Sequence, residues 1–305
     1  MSIITKLLDK KPHIDFIKYH KIGFVFAFAM LAVAVSSLWI KGLNYGIDFM
    51  GGILIEVSSS KKINTEEMRS KMAAAGIKDF TIQSMGLEGT DAMIRALEKG
   101  KDEKSQMKTV SKIKNTLGSE YEYRKVEMVG PQVGDELKEK STYAAIAAVL
   151  AIAAYIWFRF ESQFAVGALI SLTYNTIVTL GFFSLIGGDF DLTIVAAVLT
   201  LIGYSINDTV VEYDRVRSNL KKYRRQRPPV AELLNTSLNE TLGRTLLTSI
   251  STMMALVAIL FLGGAVLRGF AMALLWGIVI GTFSSVFIAV PFLSYFDIYK
   301  NDEEE

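Results

Sequence analysis

Five stretches of the chain, 22–40, 141–158, 163–188, 245–267 and 269–296, contain no Asp, Glu, Lys or Arg at all. A sixth, 192–211, is as apolar but holds one charged residue, Asp208. A helix needs about 20 mostly apolar residues to cross roughly 30 Å of hydrocarbon, so the pattern predicts six transmembrane helices. Between the first and second of them, polar and apolar positions mix with short periods. "ILIEV" (53–57) reads as a strand, and "NTEEMRSKMAAAG" (64–76) as a helix with an Asn/Thr start and a Gly stop. "FTIQSM" (80–85) and "DAMIRAL" (91–97) read as strands on either side of a Gly-containing turn. "DEKSQMKTVSKIKNTLG" (102–118) has an amphipathic helical pattern, and "YEYRKVEMV" (121–129) alternates as a last strand. The order βαββαβ describes a ferredoxin-like sandwich. The expected fold is an α-helical polytopic membrane protein (six transmembrane helices) with an α+β ferredoxin-like external domain inserted between helices 1 and 2.

Composition agrees with this division. Of 305 residues, 51% are hydrophobic, and the mean hydropathy is +0.33. The net charge of +2 offers no basic surface for nucleic acid, which is not an expected partner. The distribution of charge says more than its sum. With the amino terminus inside, segments 1–21, 159–162, 212–243 and 297–305 face the cytoplasm and carry 14 Lys/Arg, while the two short outer loops carry only Arg268. The opposite orientation would invert this bias, and the positive-inside rule rejects it. The expected organisation is a cytoplasmic tail (1–21), a first helix (22–40), a solvated external domain (41–140), a five-helix membrane domain (141–296) and a second cytoplasmic tail (297–305). The external domain holds 17 basic and 16 acidic residues. The first apolar run is longer than a signal-peptide core and no small-residue cleavage site precedes "WIKGLNYG", so it reads as an uncleaved anchor. The chain has no Cys, so the external domain is expected to use no disulfides.

Candidate chemistry is sparse. The two histidines, His13 and His20, both belong to the amino-terminal segment, so no metal site built on His or Cys is expected in the membrane body. No HExxH, Walker A or Gly-x-Ser-x-Gly motif is present, so neither an enzyme nor a cofactor is expected. A pair of intramembrane catalytic carboxylates is excluded too, because Asp191 and Asp214 lie at opposite ends of one span, roughly 35 Å apart at 1.5 Å per residue. Asp208 is different. A charge at that depth is costly and reads as functional by default. Thr193, Thr200, Tyr204 and Asp208 gather near one stripe of their helix, and Arg244, Thr248, Ser251 and Thr252 form a matching stripe on the next. The two helices run antiparallel, which puts Asp208 and Arg244 at similar depth. They make either a proton switch or a static buried pair with Arg244 snorkelling to the interface. Two glycine-rich edges, "GIDFMGG" (46–52) and "VGPQVGDEL" (129–137), bracket the external domain and read as tight turns and close packing, or as a partner contact. The basic segment 212–243, broken by Pro228 and Pro229, reads as a cytoplasmic loop that touches anionic membrane lipid.

"GIDFMGG", "VGPQVG", "GYSINDTVVEYDRVRSN" and "NETLGRTLLTS", in this order and at these topological positions, resemble the SecD/SecF family of protein-export membrane proteins, in its SecF branch, within the resistance-nodulation-division superfamily. The resemblance spans residues 12 to 296. It departs from the family pattern at Met50 and at Glu212–Tyr213, where Glu212 adds a second carboxylate one turn after Asp208. The resemblance implies a bacterial inner-membrane protein that pairs with SecD, associates with the SecYEG channel and uses the proton gradient to complete export of unfolded proteins. It implies Asp208 as the proton-responsive carboxylate and Arg244 as its cationic partner. Tyr204, Asn207, Thr209, Thr248 and Thr252 would be supporting polar positions, and Asp48, Gly51, Gly52, Gly130 and Pro131 the external-domain motif. Two readings from other classes remain beside it, a half-size proton-driven exporter of lipophilic small molecules and a non-transporting scaffold of the translocon.

Overall fold

The computed structural model describes residues 14–77, 79–85, 89–96, 103–263 and 265–299. His13, most of the expected amino-terminal tail, and the end of the carboxy-terminal one lie outside the described residues. The elements in chain order are α1 (His20–Ile40), β1 (Asn44–Tyr45), α2 (Ile47–Met50), β2 (Gly52–Ser58), α3 (Thr65–Ala74), β3 (Phe80–Met85), β4 (Asp91–Ala96), α4 (Glu103–Leu117) and β5 (Glu122–Val129). They continue with α5 (Pro131–Arg159), α6 (Ser162–Ile186), β6 (Asp189–Phe190), α7 (Leu192–Lys222), α8 (Val230–Leu262), α9 (Ala265–Ser284) and α10 (Val290–Phe292). The chain divides into two compact units. One is Tyr45–Ala144 with Asp189–Leu192, and the other holds the rest.

The smaller unit is built on an antiparallel sheet in the order β3-β4-β2-β5. Ile55, on the central strand, lies opposite both Ile94 and Val126. Alternation sends Ile53, Ile55 and Val57 to one face, where Met68 and Met72 of α3 and Ile113 of α4 cover them, all fully buried. Each of these side chains contributes about 1.5–3 kcal/mol on leaving water. The start of α3 is fixed by the Asn64 side chain, which accepts from the Glu66 and Glu67 amides at 3.2 and 3.3 Å.

Among the described residues six helices are long and apolar enough to cross a membrane: α1, α5, α6, α7, α8 and the last, from Leu267 to Tyr295. Small residues bring them together, as expected where lipid removes the hydrophobic drive between helices. Gly181 of α6 lies so close to Ala34 of α1 that a Cβ there would collide with it. The outward faces stay apolar, with Phe28 and Trp39 of α1 and Phe158 of α5 exposed.

Three helix ends differ from expectation. α5 begins at Pro131 rather than near 141, α7 runs to Lys222 rather than ending at 211, and α8 begins at Val230 rather than 245. The expected loop 212–243 is mostly helix, and only 223–229 interrupts it. The reason is an apolar face beneath the charges. Val216 and Leu220 of α7 and Leu233, Leu234 and Leu238 of α8 are buried with Ile156, Phe160, Phe164 and Leu293. The last span carries a π-helical stretch, Ser285–Ala289, just before Pro291, which supplies no amide hydrogen to the ladder.

Candidate functional site

α7 presents Tyr204, Asp208 and Glu212 four residues apart, one above another on one face. Asp208 is 3% exposed. It has no ion-pair partner among the described residues, yet the Arg244 charge on α8 acts on it through space. Arg244 itself is exposed. The two residues are therefore close enough to interact electrostatically, with no ion pair between them. One turn before Asp208, Tyr204 links α7 and α8 directly, its hydroxyl donating to Thr252 Oγ1 at 3.4 Å. Thr248 and Thr252 donate to carbonyls of their own helix, Arg244 O at 3.1 Å and Thr248 O at 3.0 Å. Thr209 is buried and returns its hydroxyl to Ser205 O at 3.4 Å. Asn207 is exposed and Thr200 likewise, so neither joins Asp208 in the interior.

Residues outside the expected set complete the polar interior. Glu212 is 2% exposed, and its Oε1 accepts from Ser285 Oγ at 3.1 Å. The Ser171 hydroxyl donates to Ser284 Oγ at 2.9 Å. Asn175 of α6 and Ser205 of α7 converge on Gly281 of α9, where a Cβ would stand 3.0 and 3.2 Å from them. For Ser171, Asn175, Ser284 and Ser285 the signal in the sequence is a polar side chain inside a charge-free span, which hydropathy averages away.

Toward the α7–α8 connection the charges are paired. Arg159 donates to both oxygens of Asp214 at 2.8 and 3.0 Å, and Arg215 to Glu240 at 2.6 Å. Asn219 adds donations to Glu240 at 2.9 Å and to Ser237 Oγ at 3.0 Å. These bonds tie α5, α7 and α8 together below the lone carboxylates.

The external-domain motif has its own geometry. Gly51 and Gly52 have φ of +72° and +126°, which only glycine adopts without strain. A Cβ on Gly51 would stand 2.9 Å from Pro131 Cα, and one on Gly134 would stand 3.0 Å from Gly51 N. The two glycine-rich edges thus pack backbone to backbone, with Gly52 opposite Val129 in the ladder. Gly130 has open space around it. Asp48 accepts from the Leu192 amide at 3.0 Å, supplying a cap to the first residue of α7. Gly46 N donates to Phe190 O at 2.9 Å, and Arg95 of β4 forms an ion pair with Asp189. Burial pushes the Arg95 guanidinium below its ordinary range, and Asp191 opposes the shift.

Residues 109–298 match the family described as Protein export membrane protein SecD/SecF, C-terminal, and residues 36–63 match the SecD/SecF GG Motif. The Protein translocase subunit SecF of Desulfurispirillum indicum is 41% identical over 288 residues, 93% of this chain and 91% of the relative. The Rickettsia rickettsii protein of the same description is 42% identical over 295 residues, 95% of this chain and 94% of the relative. Among solved structures, SecDF of Thermus thermophilus, a translocon-associated membrane protein, superposes with a TM-score of 0.83 at 30% identity. The match covers 96% of this chain but only 39% of that one.

Proposed function

The chain belongs to the SecD/SecF family of protein-export membrane proteins, and from that premise we propose that it is the SecF-type subunit of the Sec translocase accessory complex. In this reading it uses the proton motive force to promote export of unfolded proteins through SecYEG. Its membrane partner is SecD, which supplies the remainder of an assembly like the longer Thermus chain. It is a transport subunit of the bacterial inner membrane, with both termini cytoplasmic. The inserted domain is ferredoxin-like, a classification supported by the βαββαβ order and by the strand order β3-β4-β2-β5.

The observation that carries the proton reading is Asp208. A carboxylate 3% exposed on a membrane helix, without an ion pair among the described residues, gives no stability that a neutral side chain would not give better. Such a group earns its place by changing protonation, and Arg244 supplies the field that distinguishes its two states. A small-molecule exporter would need an apolar cavity in the external domain. That domain is closed around Ile53, Ile55, Met68 and Ile94, which disfavours it. A scaffold would need no ionisable Asp208.

The test is Asp208→Asn, which keeps shape and hydrogen bonding and removes ionisation. It should insert, pair with SecD and lose proton-dependent export by about a hundredfold, as when a positioned proton-transfer group is removed. Normal export at normal expression would overturn the proton reading and favour the scaffold.

A further inference from the structure

Glu212 is not needed for the Asp208–Arg244 arrangement, and its surroundings are unusual. It is 2% exposed. Oε1 takes the Ser285 hydroxyl at 3.1 Å, while Oε2 is buried and has no hydrogen-bond partner among the described residues. A carboxylate kept for structure has both oxygens satisfied, because an orphaned buried polar atom costs about 1–3 kcal/mol. Glutamine would make the same bond to Ser285 without a charge.

The groups around it narrow the role. On α7 itself, Asp208 stands one turn before it, about 6 Å along the axis. The adjacent Tyr213 is occupied elsewhere, donating to Ala289 O at 3.0 Å. From the last span comes Ser285, which opens the π-helical stretch, a distortion that recurs at functional sites. α6 contributes only uncharged groups, Ser171 and Asn175, the latter with its own Nδ2 unpartnered. On α8 the cation at this depth is Arg244, whose field acts on Asp208. The nearer charges toward the α7–α8 connection are committed to each other, Arg159 to Asp214 and Arg215 to Glu240. Glu212 forms no ion pair among the described residues.

We propose that Glu212 is a second proton-carrying carboxyl in series with Asp208, one helical turn nearer the α7–α8 connection. The proposal rests on the reading of Asp208 as the proton-responsive group. In the step it describes, the O–H bond at Asp208 breaks as its proton passes to a bridging water, which gives up one of its own protons to the free Oε2 of Glu212. Asp208 is left anionic in the field of Arg244, and Glu212 is left neutral on its Ser285 hydrogen bond. Release from Glu212 toward the connection returns the carboxylate and completes the passage of one proton. The residue distinguishes this chain from a single-carboxylate design, in which an apolar side chain would fill the same turn.

Infrared difference spectra between acid and neutral pH, on the full chain in lipid nanodiscs, test this. Glu212→Gln should delete one deuterium-sensitive protonated-carboxyl band. Asp208→Asn should retain that band and displace its pH midpoint, since the two groups share one track. Ser285→Ala, which removes only the hydrogen bond, should move the band to higher frequency, and it serves as the readout where Glu212→Gln fails to fold. Export should fall in Glu212→Gln and recover in Glu212→Asp. A spectrum unchanged by both Glu212→Gln and Ser285→Ala, or a Glu212 band indifferent to Asp208→Asn, overturns the proposal alone. Normal export by Asp208→Asn overturns the reading beneath it and the series with it.

Discussion

In the proposed site Asp208 and Arg244 form no ion pair among the described residues, and this decides which substitutions matter. A buried ion pair would depend on the planar fork of the guanidinium, and Lys could not replace it. Here Arg244 is exposed and acts through space, so the requirement is charge at that depth. Arg244→Lys keeps the charge and can snorkel as Arg does. It should retain most proton-dependent export, whereas Arg244→Gln should lose about tenfold or more, the effect of roughly 1.4 kcal/mol at one step. Equal rates for Arg244→Gln and wild type would show that the field is irrelevant. Equal losses for Lys and Gln would show that the working state contains a direct pair. Asp208 was legible in the sequence because it interrupts a charge-free run, and Tyr204 and Thr252 because helical spacing sets them on facing stripes. Asn207 was not, since one residue along a helix turns the side chain by about 100°, away from its neighbour's face. Ser285 and Asn175 were illegible for another reason. Hydroxyls and amides occur in apolar spans as helix-packing residues, and only three-dimensional convergence shows that Ser285 meets a carboxylate and that Asn175 lies beside Gly281.

α7 is held at both ends by side chains from elsewhere in the sequence. Its first amide is capped by Asp48, and its far end is tied by Arg159–Asp214 and Arg215–Glu240. Asp48 belongs to the glycine-rich edge whose backbone packs on Pro131 and Gly134, so the cap is positioned by that packing. Asp48→Ala should destabilise the start of α7 by about 1 kcal/mol, the usual worth of a lost cap, while Asp48→Asn, also a good cap, should lose far less. Hydrogen exchange at Leu192, Thr193 and Ile194 reads this directly. Protection unchanged in Asp48→Ala would mean that the cap does not hold the helix. The strands and helices of the inserted domain follow their sequence periodicity closely, because one face of each is buried and the other wet. Helix ends in the membrane unit were less legible. A charge-free window marks where lipid begins, not where the helix stops, and the buried Val216, Leu220 and Leu234 carry α7 and α8 well past it.

For the whole molecule, the number of spans and their direction rest on different physics. Among the described residues six helices are long and apolar enough to cross a membrane, and an even number returns the chain to the side from which it entered. The proposed direction comes from the 14-to-1 partition of Lys and Arg between the cytoplasmic segments and the two short outer loops. Much of that bias lies at the α7–α8 connection, where Lys221 and Lys222 end α7 and Arg224, Arg225 and Arg227 fall among the non-helical residues. Positive charge so close to two helix ends resists transfer across the membrane, and the proposed orientation keeps it in the cytoplasm. The natural chain has no Cys, so single introduced thiols report without background. Ser84 is exposed on β3 of the inserted domain, and Ser218 is exposed near the end of α7. In intact cells an impermeant thiol reagent should label Ser84→Cys and spare Ser218→Cys until the membrane is opened, when both should react. Labelling of Ser218→Cys from outside would reverse the orientation. It would also put the Glu212 end of α7 on the side from which protons enter rather than the side to which they leave.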